Sequence, residues 1–290
     1  ATVDPKRVTA SELAELMVGS ELPSPSTEPR AVDDHVSLSL SDVMVLDETK
    51  RPALDNVSLA VRRGEILGVA GVEGNGQGEL IEAILGLRSI EDGGQILLDG
   101  EEISTWSVRR RREARIGYVP EDRHRRGLLL DAPLWENAML GHQTMEPFAR
   151  GPLLDRGRSR EATTRIVKDF DVRTPSIDTS ARALSGGNQQ KLVIGREMAA
   201  SPRLLIAAHP TRGIDVGAQA AVWEELRTAR RNGLALLLIS ADLEELLGLA
   251  DRLVVMLRGR VAAELDPATT TPRQLGGYMT GAEDVTGDKE

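Results

Sequence analysis

The sequence predicts an α/β fold: a mixed sheet core with an antiparallel β part at its start and an inserted helical subdomain. Three observations predict it. An apolar stretch, Ile66 to Ala70, runs into the loop Gly71-Val72-Glu73-Gly74-Asn75-Gly76-Gln77-Gly78 and then into a helical stretch from Glu79 to Leu87. Later, Leu204 to Ala208, Val216 to Arg231 and Leu234 to Ser240 alternate strand and helix at lengths that imply a parallel sheet. Ahead of the loop, His35 to Leu40 and Val57 to Val61 alternate polar and apolar residues as half-buried antiparallel strands do.

Composition narrows the function. With 290 residues, 40% of them apolar and 28% charged, the chain can bury an ample core in one large domain or two small ones. A net charge of -9 with three Trp, two Tyr and two Phe argues against sequence-independent nucleic-acid binding, which needs basic surface and stacking platforms. The absence of Cys excludes disulfides and thiolate metal sites. No apolar run reaches the roughly eighteen residues that span a bilayer. No signal peptide is visible, and a chain opening on Ala1 reads as a piece of something longer.

The two ends resemble each other. Val3-Asp4-Pro5, Thr9, Leu13, Met17 and Gly19 are echoed by Leu265-Asp266-Pro267, Thr271, Leu275, Met279 and Gly281 at a constant offset of 262. Each stretch predicts a Pro turn and a short amphipathic helix ending at Gly. Residues 1–31 are therefore expected to be the tail of a preceding copy plus a linker, and 32–281 one module. Its core is expected at about 32–104 and 196–281, its helical subdomain at about 105–195, and an acidic tail at 282–290.

In order along the module, Gln95 to Leu98 predicts a strand closed by Asp99-Gly100. From Trp106 to Arg126 the chain is dense in Arg (109 to 112, 115, 123, 125 and 126), compatible with a docking patch, a phosphate contact or a solvated helix face. Ile116 to Val119 predicts a strand running into Pro120-Glu121-Asp122. Residues 131–183 predict helix, most clearly Pro133 to Leu140 and Ser159 to Phe170. Ser185 is placed to cap a helix running to Ala200, with Gly186 and Gly187 letting an anion approach its backbone. His209 to Asp215 forms a loop at the C-terminal edge of a buried strand, where α/β proteins keep their ligands. A short helix from Asp242 to Leu249, the strand Leu253 to Leu257 and a turn at Arg258-Gly259 complete the predicted core.

The glycine loop is the first candidate site. A phosphate loop needs Gly, four residues, Gly, Lys, then Ser or Thr. Gly71 and Gly76 have that spacing, but Gln77 stands at the Lys position and Gly78 at that of the Mg²⁺-binding hydroxyl. Gly71, Gly74, Asn75, Gly76, Gln77, Gly78 and Glu79 thus outline either an anion cradle without its charge chemistry or an unliganded strand–helix turn.

Leu184-Ser185-Gly186-Gly187-Asn188-Gln189-Gln190 resembles the signature motif of ATP-binding-cassette (ABC) ATPases, a branch of the P-loop NTPases. Tyr118 to Arg123 (YVPEDR) and Pro210 to Ala218 (PTRGIDVGA) resemble the second half of the tandem ATPase subunits of bacterial sugar and nucleoside importers. The resemblance covers about residues 32–281. It implies two cassettes closing head to tail around ATP and Mg²⁺, each nucleotide lying between the phosphate loop of one and the signature of the other. It further implies a first cassette in the same chain, with Ile214 and Asp215 on the dimer-facing loop. Transmembrane permease subunits would couple through the helical region and the loop of Glu121, a solute-binding protein would act indirectly, and nucleic acid would have no part. The expected location is the inner face of the cell membrane.

Measured against that family pattern, the sequence departs at several positions. Gln77 and Gly78 replace the Lys and the hydroxyl, Ala208 the magnesium-site Asp, His209 the catalytic Glu, Ala241 the switch His and Glu121 the usual Gln. This cassette's own pocket is therefore expected to be non-hydrolytic and weak for nucleotide, while its signature is complete. The alternative is a self-sufficient ATPase working through Gln77, His209 and Glu121.

Overall fold

The computed structural model describes residues 32–282. Val36–Leu46 (β1) and Pro52–Arg62 (β2) form a long antiparallel hairpin. Both strands outrun the short segments expected, because their alternation is broken by Asp42 and Asn56, each with a positive φ that bends the ladder without ending it. Ile66–Ala70 (β3) follows, wholly buried, and then Gln77–Leu85 (α1). Gln95–Leu98 (β4) and Glu101–Glu102 (β5) complete an antiparallel sheet of order β2-β1-β4-β5.

The arginine tract is divided among several tasks. Val108–Glu113 (α2) exposes Arg109 and Arg110, the latter lying 3.8 Å over the Trp106 ring. Arg111 is buried, and its guanidinium donates to Ala83 O and Ile84 O at 2.7 Å, Ser104 O at 2.8 Å and Trp106 O at 3.1 Å. It thus occupies the C-terminus of α1, where orphan carbonyls and the helix dipole favour a cation. Burial lowers its pKa to about 10, which leaves it charged at neutral pH.

Ile116–Val119 (β6) leads into a π-helical turn at Arg123–Gly127. Next come Leu134–Met139 (α3), a small hairpin of Ala149–Arg150 (β7) and Leu153–Leu154 (β8), and Arg156–Asp169 (α4). Two strand features therefore lie in the stretch expected to be the helical insertion. β6 belongs to the core sheet, paired in parallel with a later strand, and the β7–β8 hairpin interrupts the helices.

Gly186–Ala199 (α5), Leu204–Ala208 (β9), Val216–Arg231 (α6), Ala235–Ser240 (β10), Leu243–Leu249 (α7) and Arg252–Leu257 (β11) follow. Arg260–Leu265 (β12), beyond the turn expected to close the core, adds an antiparallel edge strand, and Pro272–Thr280 (α8) ends at Gly281 with φ 71°. The second sheet has the order β12-β11-β3-β10-β9-β6. Its central strands are apolar throughout because both faces are covered. Ile66, Leu205, Leu236 and Leu238 face the helical side, while Leu67, Val69, Ile206 and Leu237 face α1 and the antiparallel sheet.

α8 is the short helix ending at Gly281 that was expected after the Asp266-Pro267 turn, and its counterpart at 3–19 lies outside the described residues. Among the described residues no helix is long and apolar enough to cross a membrane.

Candidate functional site

The loops after β3, β6, β9 and β10 leave the same edge of the parallel sheet and enclose a cleft of about 720 Å³. That edge is where open α/β sheets bind ligands. Gly71, Gly74, Gln77, Gly78 and Glu79 line it from the glycine loop, Glu121 and Arg126 from beyond β6, Ala208, His209 and Arg212 from beyond β9, and Ala241 and Asp242 from beyond β10. Sequence positions far apart, those of Gln77, Glu121, His209 and Ala241, are thus brought to one place.

Within the glycine loop, three donors converge on one carbonyl. Val72 O accepts from Asn75 N–H at 3.2 Å, Asn75 Nδ2 at 3.1 Å and Gln77 Nε2 at 3.2 Å. Asn75 also pins the loop to the β11–β12 turn: its Oδ1 accepts from Arg258 N–H at 2.8 Å and its carbonyl from Gly259 N–H at 3.0 Å. The Gln77 side chain is buried and folds back against Gly71, where a Cβ would stand 2.1 Å from Gln77 Nε2. The same Cβ would stand 2.8 Å from the Met256 carbonyl, so backbone as well as the movable amide keeps position 71 glycine. Gly76, with φ 104°, leaves α1 without a side-chain cap.

The charge lining the cleft is predominantly acidic. Glu73, Glu79, Glu82, Glu121, Asp242 and Glu245 face Arg88, Arg126 and Arg212, and Arg88 is already paired with Glu82 at 2.9 Å. His209 has φ 46°, and its Nδ1 accepts from Ala241 N–H at 3.4 Å, so these two positions are direct neighbours. Burial holds the imidazole below its ordinary pKa, keeping it neutral at pH 7, with Glu121 opposing. Glu245 is buried beneath the cleft and accepts from Thr211 Oγ1 at 2.7 Å and Trp223 Nε1 at 3.0 Å. Burial pushes its carboxyl above the usual range despite these bonds.

The start of α5 is built differently. Ser185 is the N-cap: its Oγ accepts from Asn188 N–H at 3.4 Å and from Asn188 Nδ2 at 2.9 Å. Leu184 is buried, Ser185 exposed and Gly186 half-buried, while Gln189 donates inward to Ala181 O at 3.0 Å. Asp215 caps α6 by accepting from Ala218 N–H at 2.9 Å, and its carboxylate lies 3.4 Å from where a Cβ on Gly187 would be. Ile214 packs partly buried beside it.

Further along α5, buried Glu197 accepts from Arg112 at 2.9 Å, Arg196 Nε at 2.9 Å and Tyr118 N–H at 3.1 Å, tying the helix to α2 and β6. Burial pushes its carboxyl up, but Arg196, His142 and Arg112 outweigh that and hold it well below the ordinary range. This network was not anticipated. The Arg-Glu pair at 196–197, following the apolar run Leu192-Val193-Ile194, was its only sequence signal.

Gly-loop, helical segment, capped Ser-Gly-Gly helix and buried strand, arranged round one sheet edge, define a nucleotide-binding cassette of the P-loop type. The ABC transporter family model matches residues 54–212, and the chain belongs to that family. ATP with Mg²⁺ is the ligand of ABC cassettes. The chain is 44% identical over 282 residues to the guanosine import ATP-binding protein NupO of Bacillus subtilis (strain 168), covering 97% of this chain and 55% of that one. It is 40% identical over 280 residues to the nucleoside import ATP-binding protein NupA of Lactococcus lactis subsp. cremoris (strain MG1363), covering 97% and 55%. The chain thus spans about half the length of these relatives. Its fold matches the crystal structure of a nucleotide-free ATP-binding cassette from an ABC transporter, with TM-score 0.69 and 21% identity over 84% of this chain and 95% of the other.

Proposed function

We propose that this chain is the second, C-terminal cassette of a tandem ABC ATPase subunit that powers import of nucleosides or monosaccharides. In this reading it lends its signature to ATP held on the first cassette, and its own cleft is non-hydrolytic. The guanosine and nucleoside relatives put nucleosides first, and the half-length match supports a companion cassette, as does the repeat between the chain's ends. The permease subunits would dock through the helical region and the Glu121 loop, and a solute-binding protein would contribute only through them.

The observation that carries the reading is the Gln77 amide folded into its own loop and bonded to Val72 O. A magnesium triphosphate does not fit these residues. The start of α1 supplies neither an ammonium group nor a hydroxyl at Gln77 and Gly78, and the cleft is lined mainly by carboxylates. Phosphoryl transfer relies on positioned positive charge. Loss of a single preorganised donor costs about 10²–10³ in rate, and here the Lys position and the hydroxyl are lost together.

The test is Mg-ATP turnover by the chain alone, with a His209→Ala variant beside it. Background rates for both are expected. Clear turnover abolished by His209→Ala would overturn the proposal in favour of a self-sufficient ATPase.

A further inference from the structure

Arg123, like Arg111 and Arg112, is an arginine of the tract committed to protein groups outside the glycine-loop cleft. Arg123 opens the π-helical turn two residues after Glu121, and Asp122 holds that turn by accepting from His124 N–H and Arg125 N–H, each at 3.1 Å. The Arg123 guanidinium donates to two successive carbonyls, Arg212 O at 2.8 Å and Gly213 O at 3.0 Å, immediately before Ile214 and Asp215. Its Nε points at Gln189 Oε1 at 3.4 Å, an oxygen that His124 Nε2 also approaches at 2.8 Å. The same guanidinium runs against the start of α5: a Cβ on Gly186 would stand 2.9 Å from Arg123 Nη2 and 3.2 Å from Gly213 O.

We propose that Arg123 is a positioning residue that locks three elements into one unit: the Glu121 loop, the Ser185–Gly187 helix tip and the Ile214–Asp215 loop. A planar fork satisfies two adjacent carbonyls at once, which a lysine ammonium on a flexible stem cannot do in fixed geometry. Glycine at 186 then has a second purpose, since any side chain there would displace the fork. The consequence rests on the reading that this tip seals ATP held by a companion cassette. A displacement of the Glu121 loop would reach both sealing loops through one side chain, without passing through the glycine loop of this cassette.

The test has two arms. In the first, hydrogen exchange is followed on this chain carrying Arg123→Ala. Amides of both 186–190 and 213–218 are expected to exchange about tenfold faster, as local opening becomes easier, while 71–78 stay unchanged. A response confined to 123–127 overturns the proposal. Arg123→Lys keeps charge and stem, and is expected to fall between wild type and Arg123→Ala; a lysine fully equivalent to arginine also overturns it.

The second arm uses the assembled transporter with its companion cassette. Arg123→Ala is expected to lower kcat about 10- to 100-fold through misplacement, with KM for ATP within about twofold. Ser185→Arg, which blocks the tip itself, serves as the reference. If Ser185→Arg stops turnover and Arg123→Ala leaves kcat unchanged, the positioning role is wrong. If Ser185→Arg has no effect, the companion-sealing function is wrong, and the exchange arm still decides on Arg123.

Discussion

Two glycine-bearing helix tips in this molecule began from the same local rule and ended in opposite states. At the start of α1, the cap residue is Gly76, no side chain caps the helix, and Gln77 and Asn75 turn inward onto Val72 O. At the start of α5, Ser185 caps the helix, Asn188 steadies the serine, and the serine itself is exposed. Both keep the backbone form that presents N–H groups to an anion. The first is held by its own side-chain amides on Val72 O, the second by the Ser185 cap and the Asn188 side chain that steadies it. A loop's shape is therefore weak evidence of its cargo: side-chain hydrogen bonds within the loop can hold that shape by themselves.

That contrast can be broken in four ways. The largest effect is expected from Glu197→Gln. Leaving Arg196 and Arg112 without their buried carboxylate should cost about 3–5 kcal/mol in denaturant unfolding. Because the folded carboxyl titrates well below its ordinary value, its contribution is complete above the usual Glu pKa and is lost as pH falls below it. Glu197→Gln should therefore flatten the acid limb of the stability curve.

Next comes the asymmetry between the tips. On the proposed reading, Ser185→Arg in a transporter assembled with the companion cassette should lower steady-state ATP turnover by about 100-fold or more, whereas Gln77→Ala should leave it within about twofold. Equal losses would erase the distinction. A smaller gain is expected from Gln77→Lys combined with Gly78→Ser, which returns a charge and a hydroxyl to the empty positions. Titration with a fluorescent ATP analogue should show affinity tightened by about tenfold, or about 1.4 kcal/mol.

The smallest effect is electrostatic and has two opposite signs in one cleft. His209 is held below its ordinary pKa, so the unfolded chain binds the extra proton first as pH falls below about 6.5, and stability drops with it. Glu245 is held above its ordinary pKa, so the unfolded chain releases its proton first as pH rises from about 4, and stability drops in that direction. Chemical unfolding of His209→Asn and Glu245→Gln between pH 4 and 7, spaced by about one unit, should remove the two slopes separately.

Most of the core was readable before the structure. Strands buried on both faces carry unbroken apolar runs, as β3, β9 and β10 do, and α8 announced itself by the Asp266-Pro267 turn, Thr271 and a closing Gly281. β12 was missed because an edge strand reading Arg-Val-Ala-Ala-Glu-Leu has little alternation to detect. The β7–β8 hairpin was missed because two-residue strands have no period at all. At the site, the spacing of Gly71 and Gly76 and the identity of Ser185 were legible. The inward fold of the Gln77 amide was not, because a side chain's direction depends on the cavity left by its neighbours. For the same reason nothing in a run of arginines distinguished Arg109, at the surface, from Arg111 and Arg123, each committed to carbonyls from distant segments.

That last distinction bears on anyone who would alter the protein's charge. Neutralising the tract to improve handling or weaken adventitious polyanion binding would seem harmless at any of its positions. At Arg111 it would unplug the far end of the helix that carries the glycine loop, taking the guanidinium from four carbonyl oxygens, of which Ala83 O would keep the Gly86 N–H. The damage would surface on the opposite side of that helix from the edit, and be mistaken for a defect of the loop.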